Sequence, residues 1–229
     1  MSAPDPADAG GGTPGWYGKL PSTGDFASRR LSHGLIEAWD GWLAQEIGEL
    51  RQQYPDQWLQ AYLDSPTWRF VLGAGMLGEE QTWPMAGVLM PSIDRVGRYF
   101  PLTVAQVLAA EQSLADIVCG PDDWFEQTET LLLDTLEPDA RFEVFEAAVQ
   151  GYVARAPGTA PIEHFAGLQR LAATQPDGRA LALAACACEG ASLWWGRGSE
   201  RIAAGLMRCS GLPQSSEFGR FLLGKEAVR

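Results

Sequence analysis

Thr67-Trp68-Arg69-Phe70-Val71-Leu72 decides how this chain folds. Trp68, Phe70 and Leu72 fall on every second position, so they share one face of a β-strand. Two more apolar runs of strand length follow, Met85 to Met90 and Leu102 to Leu108. Between those two lies the polar stretch Pro91-Ser92-Ile93-Asp94-Arg95-Val96-Gly97-Arg98-Tyr99-Phe100-Pro101, which fits a hairpin with a long loop. Upstream, Gly15-Trp16-Tyr17-Gly18-Lys19-Leu20 reads as a short strand ended by Pro21.

Helical spacing fills the gaps between these runs. Leu35, Ile36, Trp39, Leu43, Ile47 and Leu50 recur at three- and four-residue steps, predicting an amphipathic helix over 34–52. Pro55 opens a second, shorter helix with Trp58, Leu59, Tyr62 and Leu63. Trp124, Thr128, Leu131, Leu132 and Thr135 mark another, with Asp122 or Asp123 available as N-cap. Pro138 breaks it, and Asp139 can cap a helix carrying Phe142, Phe145, Val149 and Tyr152. The segment 156–178 is rich in turn signals and predicts a short helix around His164 to Leu171. Three strands then close the pattern, Ala180 to Cys186, Ser192 to Gly196 and Gly205 to Cys209. A terminal helix over 213–223 buries Phe218, Phe221 and Leu222.

Strands in two groups with helices between them predict an α+β fold, a mainly antiparallel sheet flanked by helices. A doubly wound parallel sheet needs a regular β-α alternation that this sequence lacks. Neither half carries a complete sheet, so 15–229 reads as one domain. Residues 1–14 read as a flexible tail, with neither the basic nor the apolar region of a secretory signal.

Composition narrows the function classes. The chain is 46% hydrophobic and contains nine Trp, enough for a filled core without disulfide or metal. Its net charge of −12 repels phosphate backbones and anionic membrane surfaces, which argues against nucleic acid as a partner. Cys119, Cys186, Cys188 and Cys209 lack zinc-site spacing, and His33 and His164 lie far apart. The cysteines read as small buried hydrophobes in a reducing cytosol, and no metal or other cofactor is expected. The longest apolar stretch, Leu181 to Trp195, is interrupted and too short to span a bilayer, so a soluble cytoplasmic protein is expected.

Catalytic templates fail one after another. There is no glycine-rich phosphate cradle, Gly198-Ser199-Glu200 is not a nucleophile elbow, and the two histidines offer no base in context. The sequence therefore does not read as an enzyme. Three polar segments among aromatics and glycines remain. Gly18-Lys19-Leu20-Pro21-Ser22-Thr23-Gly24-Asp25-Phe26 is a tight turn that can offer Lys19 and Asp25 to a partner. In Asp94-Arg95-Val96-Gly97-Arg98, the guanidinium pair Arg95 and Arg98 suits carboxylate or phosphate recognition. Equally, Asp94 or Asp25 can pair internally with one of these arginines and tie two loops together. In Leu193-Trp194-Trp195-Gly196-Arg197-Gly198-Ser199-Glu200, adjacent Trp residues point to opposite faces of a strand. Trp194 and Trp195 then divide between the core and a site under a helix or at the surface.

These same segments carry a resemblance. Gly15–Phe26, Pro91–Thr103 and Ser192–Glu200 are similar to signature stretches of the TagF (ImpM) family, as are Glu37–Leu43 and Ala61–Phe70. The similarity runs from about Gly15 to about Leu223 and is loosest over 105–178. The resemblance implies a longin-like fold and a posttranslational repressor of a bacterial type VI secretion system. It also implies the forkhead-associated (Fha) scaffold protein of that system as partner. The expected contact residues are Lys19, Asp25, Asp94, Arg95, Arg98, Trp195, Ser199 and Glu200. The rival readings are a structural component of the secretion machine, or an enzyme holding a small anion with Arg95, Arg98 and Lys19.

Overall fold

A computed structural model describes residues 12–79, 81–109, 112–154, 163–165, 168–170, 176–214 and 216–224. The expected tail falls almost wholly outside the described residues. Among the described residues, nine strands and seven helices run in chain order. They are β1 (Gly15–Lys19), β2 (Phe26–Arg29), α1 (His33–Gln53), α2 (Trp58–Asp64), β3 (Trp68–Leu72), β4 (Met85–Met90), β5 (Leu102–Val107) and α3 (Leu114–Cys119). α4 (Asp123–Asp134), α5 (Phe142–Gly151), β6 (Glu163–Phe165), β7 (Leu168–Arg170), α6 (Pro176–Cys188), β8 (Ser192–Gly196), β9 (Gly205–Cys209) and α7 (Ser216–Leu223) follow.

Seven strands form one sheet in the order β2-β1-β5-β4-β3-β8-β9, and every pairing in it is antiparallel. The fold is α+β with a mainly antiparallel sheet, as the patterning predicts. Strands from both ends of the chain enter this sheet.

Each face of the sheet buries its own core. On one face, Tyr17, Trp68, Phe70, Leu72, Met85, Leu89 and Trp194 pack under α1, α2 and α7. Trp39 of α1 is wedged there between Phe70 and Trp194, and its indole N–H donates to Thr103 Oγ1 at 3.0 Å. On the other face, Trp16, Val71, Ala86, Val88, Val104 and Leu193 pack under α4 and α5. β3, β4 and β5 are thus covered on both sides, which is why they read as continuous apolar runs. The Ser32 hydroxyl caps α1 by accepting from the Leu35 N–H.

Several expectations are corrected. Ala180–Cys186 is not a strand but the body of α6, which starts at Pro176. Its Ala-Leu alternation mimics a two-residue period, yet both are strong helix formers, and proline suits a first helical position. The helix expected around His164 is the hairpin β6–β7, which pairs His164 with Gln169. Strand β2 and helix α3 were not expected. β2 lies at the sheet edge, half exposed, and carries no apolar alternation. Asp122 occupies the N-cap position of α4 without capping it, and Arg141, not Asp139, precedes α5. Two of the cysteines, Cys119 and Cys186, are exposed; burial pushes the thiols of Cys188 and Cys209 up to about 11. Phe218 and Phe221 are buried as expected, whereas the Leu222 side chain lies outside the described residues. Among the described residues no helix is long and apolar enough to cross a membrane, and no cluster of His, Cys, Asp and Glu could hold a metal ion.

Candidate interaction site

The first two polar segments meet at one end of the sheet. β1 runs alongside β5, so its exit at Lys19 lies beside the loop that enters β5. Gly18 makes this approach possible: at φ 141° it lies against Pro101, where a Cβ would sit 2.1 Å from the carbonyl oxygen. Ser92 Oγ then donates to the Lys19 carbonyl at 2.7 Å, and Tyr62 of α2 donates to the Ser92 carbonyl at 2.9 Å.

Asp94 is the hub. Its side chain is fully buried, and Lys19 Nζ lies 3.1 Å from its Oδ2. The backbone N–H groups of Val96 and Arg98 donate to Oδ1 at 3.1 and 2.9 Å, and Arg98 Nε donates to Oδ2 at 2.7 Å. Burial alone would raise the carboxyl's pKa. The Arg98 N–H, the Lys19 ammonium and the Arg98 guanidinium outweigh it and hold the group well below the usual carboxylate range. The loop is a tight turn in which the Gly97 N–H donates to the Asp94 carbonyl at 3.0 Å.

Arg98 ties the two segments together from outside. Its Nη2 donates to the Gly24 carbonyl at 2.6 Å and lies 3.6 Å from Asp25 Oδ1. The Arg95 N–H donates to the Thr23 carbonyl at 3.0 Å. The Arg95 side chain is exposed and makes no hydrogen bond or ion pair among the described residues. Asp25, Val96 and Phe26 are exposed beside it, and Phe26 packs edge-on against Phe100 with centroids 4.9 Å apart.

The third segment lies elsewhere. β8 is four strands from β1, about 19 Å across the sheet. Trp194 is fully buried in the core under α1, while Trp195 is half buried on the opposite face against Phe125 of α4. Ser199 Oγ is buried without a hydrogen-bond partner among the described residues, and Glu200 is exposed. Lys19 is enclosed by Asp94 and the Phe26 ring, so it does not share a surface with Arg95.

Chain comparison places this fold. The model of the TagF N-terminal domain, type VI secretion system-associated, matches residues 15–152. The chain belongs to the TagF family. It is accordingly a type VI secretion-associated protein. No curated protein matches it. The crystal structure of PA0076 from Pseudomonas aeruginosa PAO1 is similar at 51% identity and a TM-score of 0.85, covering 93% of this chain and 94% of that one. The TagF match contains the whole Lys19–Asp94 junction, whereas β8 and the Trp194-Trp195 pair lie beyond its end.

Sequence reasoning missed a second ionic cluster, centred on Arg69 and Glu129 within the TagF match. Arg69 on β3 is buried and donates from Nε and Nη2 to Glu129 of α4 at 2.9 and 2.7 Å. Its Nη1 lies 2.8 Å from Asp122, and Arg197 of the third segment reaches Glu126 at 2.6 Å. Nothing local announces these pairs. The one clue was an arginine in the middle of an apolar strand, which needs a buried partner.

Proposed function

We propose that this protein is a cytoplasmic, posttranslational repressor of a type VI secretion system. It works by binding the forkhead-associated scaffold protein and occupying a surface that assembly needs. Membership of the TagF family supports the association with secretion. One observation carries the binding mode. Arg95, Val96 and Asp25 are exposed on a loop pair whose underside is pinned by the buried Lys19–Asp94 pair. Such a loop is pre-organised, so little conformational entropy is lost on docking.

A protein partner fits this surface better than a small anion. The three cations that would hold an anion are divided, since Lys19 is enclosed by Asp94 and only the arginines face outward. Strands from both ends of the chain share one sheet, which supports treating 15–229 as one working domain. Asp94 and Lys19 act as braces for the contact made by Arg95, Arg98 and Asp25. Trp195, Ser199 and Glu200 would form a separate contact.

The test is export of the secreted tube protein when the chain is overproduced in its own host. Lost export with unchanged cellular tube protein supports repression after synthesis. Normal export with the chain soluble and abundant overturns it and returns a structural role in the machine to the front.

A further inference from the structure

On the face of the sheet covered by α4 and α5, a groove of about 330 Å³ opens where α4 ends and α5 begins. Its buried lining is Leu20, Leu131 and Phe145 with Thr135, whose hydroxyl donates to the Leu132 carbonyl, and Val144 adds a half-exposed side chain. Asp134, Glu137 and Asp139 also line it. All three are exposed, and their carboxylates make no hydrogen bond or ion pair among the described residues. Arg141 is the one cation in the lining.

The local helix chemistry adds to this negative field. Asp134 is the last residue of α4, and no basic residue lies in that last turn. A helix C-terminus carries partial negative charge, so a carboxylate there is repelled and an incoming cation is favoured. A sequence built for stability alone would place Lys or Arg at this point. Natural proteins break such local rules chiefly at functional or strained sites.

We propose that this groove docks a segment of a partner protein that inserts a bulky apolar side chain and flanks it with Lys or Arg. Charge selects that occupant. A second copy of this chain brings another net −12, and nucleic acid is anionic as well. The groove also adjoins the loop pair described above. Leu20 and Ser22 line it, and the next residues, Thr23 and Gly24, offer the carbonyls that hold Arg95 and Arg98. One partner can therefore engage the arginine patch and the acidic groove together. The proposal rests on the reading of this chain as a protein-binding regulator.

The experiment is selection of a random-peptide display library on the purified protein, followed by fluorescence anisotropy with the enriched peptides. The enriched pool should combine aromatic or large aliphatic residues with Lys or Arg. Asp134→Asn/Glu137→Gln/Asp139→Asn and, separately, Val144→Glu should each weaken binding roughly tenfold or more. The control Asp56→Asn/Glu79→Gln, which removes the same kind of charge elsewhere, should leave it unchanged. All these positions are exposed, and unchanged thermal melts confirm that the variants fold. An empty selection, a pool without this signature, or equal binding to groove variants and wild type overturns the proposal. None of those results touches the export assay, so failure of the groove and failure of the repressor reading are told apart.

Discussion

Lys19 and Asp94 form an ion pair of 3.1 Å in which neither side chain reaches solvent appreciably. The pair fastens the end of β1 to the loop that enters β5. A buried pair recovers its desolvation cost only when the remaining hydrogen-bonding capacity is satisfied. Asp94 meets that condition, because both oxygens accept from two groups each, Val96 and Arg98 on one and Arg98 and Lys19 on the other.

Acid should therefore loosen the protein through Asp94. The unfolded carboxyl titrates near pH 4, whereas the folded one is held well below that range. The stabilisation is fully present above the unfolded value and is lost as pH falls towards the folded one, because there the unfolded chain binds more protons. The urea midpoint should fall between about pH 5 and about pH 3. Asp94→Asn should be less stable at neutral pH and show a shallower fall. Glu146 should preserve part of the slope, since Arg30 and Trp16 lower its pKa against the effect of burial. An identical slope in wild type and variant would show that Asp94 is not responsible.

Glu129→Ala should be among the most damaging single substitutions. It leaves the Arg69 guanidinium, only 4% exposed, without its bidentate partner. Losing one member of a buried pair costs about 3–5 kcal/mol. Asp122 remains at 2.8 Å from Arg69, so the lower end is expected. The double substitution Arg69→Met/Glu129→Leu should recover most of the loss, because two apolar groups leave no buried charge behind. Urea unfolding of the wild type and these two variants measures this, and a double variant as unstable as Glu129→Ala would refute it.

Gly87→Ala tests the close packing over the middle of the sheet. Gly87 pairs with Phe70 across β3 and β4, and a Cβ there would lie 2.3 Å from Phe70 Cζ and 2.7 Å from the Val104 carbonyl oxygen. The ring is flanked by Trp39 and Trp194, whose centroids are 5.1 and 5.0 Å away. Overpacking of this kind costs roughly 2–3 kcal/mol. A thermal melt within a degree or so of wild type would show that the ring has more room than this geometry allows.

What the sequence revealed follows from how each element is buried. β3, β4 and β5 are legible because helices cover both faces, which demands apolar residues at nearly every position. α1 is legible because only one stripe of it is buried. α6 was misread because Ala-Leu-Ala-Leu satisfies two periods at once and exposes Leu183 besides. At the candidate site, Lys19, Asp25, Asp94 and Arg98 are all visible as unusual residues. Their division into braces and exposed groups depends on β1 lying beside β5, which no local pattern encodes. The Arg69–Glu129 pair was hidden for the same reason, since its members belong to a strand and a helix far apart in sequence.

Arg95→Glu separates the exposed face of the loop pair from its frame. The Arg95 guanidinium has no partner among the described residues, while its backbone N–H holds Thr23 whatever the side chain. Stability should stay within about 0.5 kcal/mol of wild type, as for other surface changes. On the proposed function, binding to the forkhead-associated scaffold protein should nevertheless weaken, by roughly tenfold or more for a charge reversal at a contact. Arg98→Ala cannot make this distinction, because it also releases Asp94 and the Gly24 carbonyl. A matched pair of measurements, thermal unfolding and calorimetric titration with the purified scaffold, checks the prediction. A stable Arg95→Glu protein that binds the scaffold as tightly as wild type would remove Arg95 from the interface and leave the 94–98 loop as a brace for the sheet.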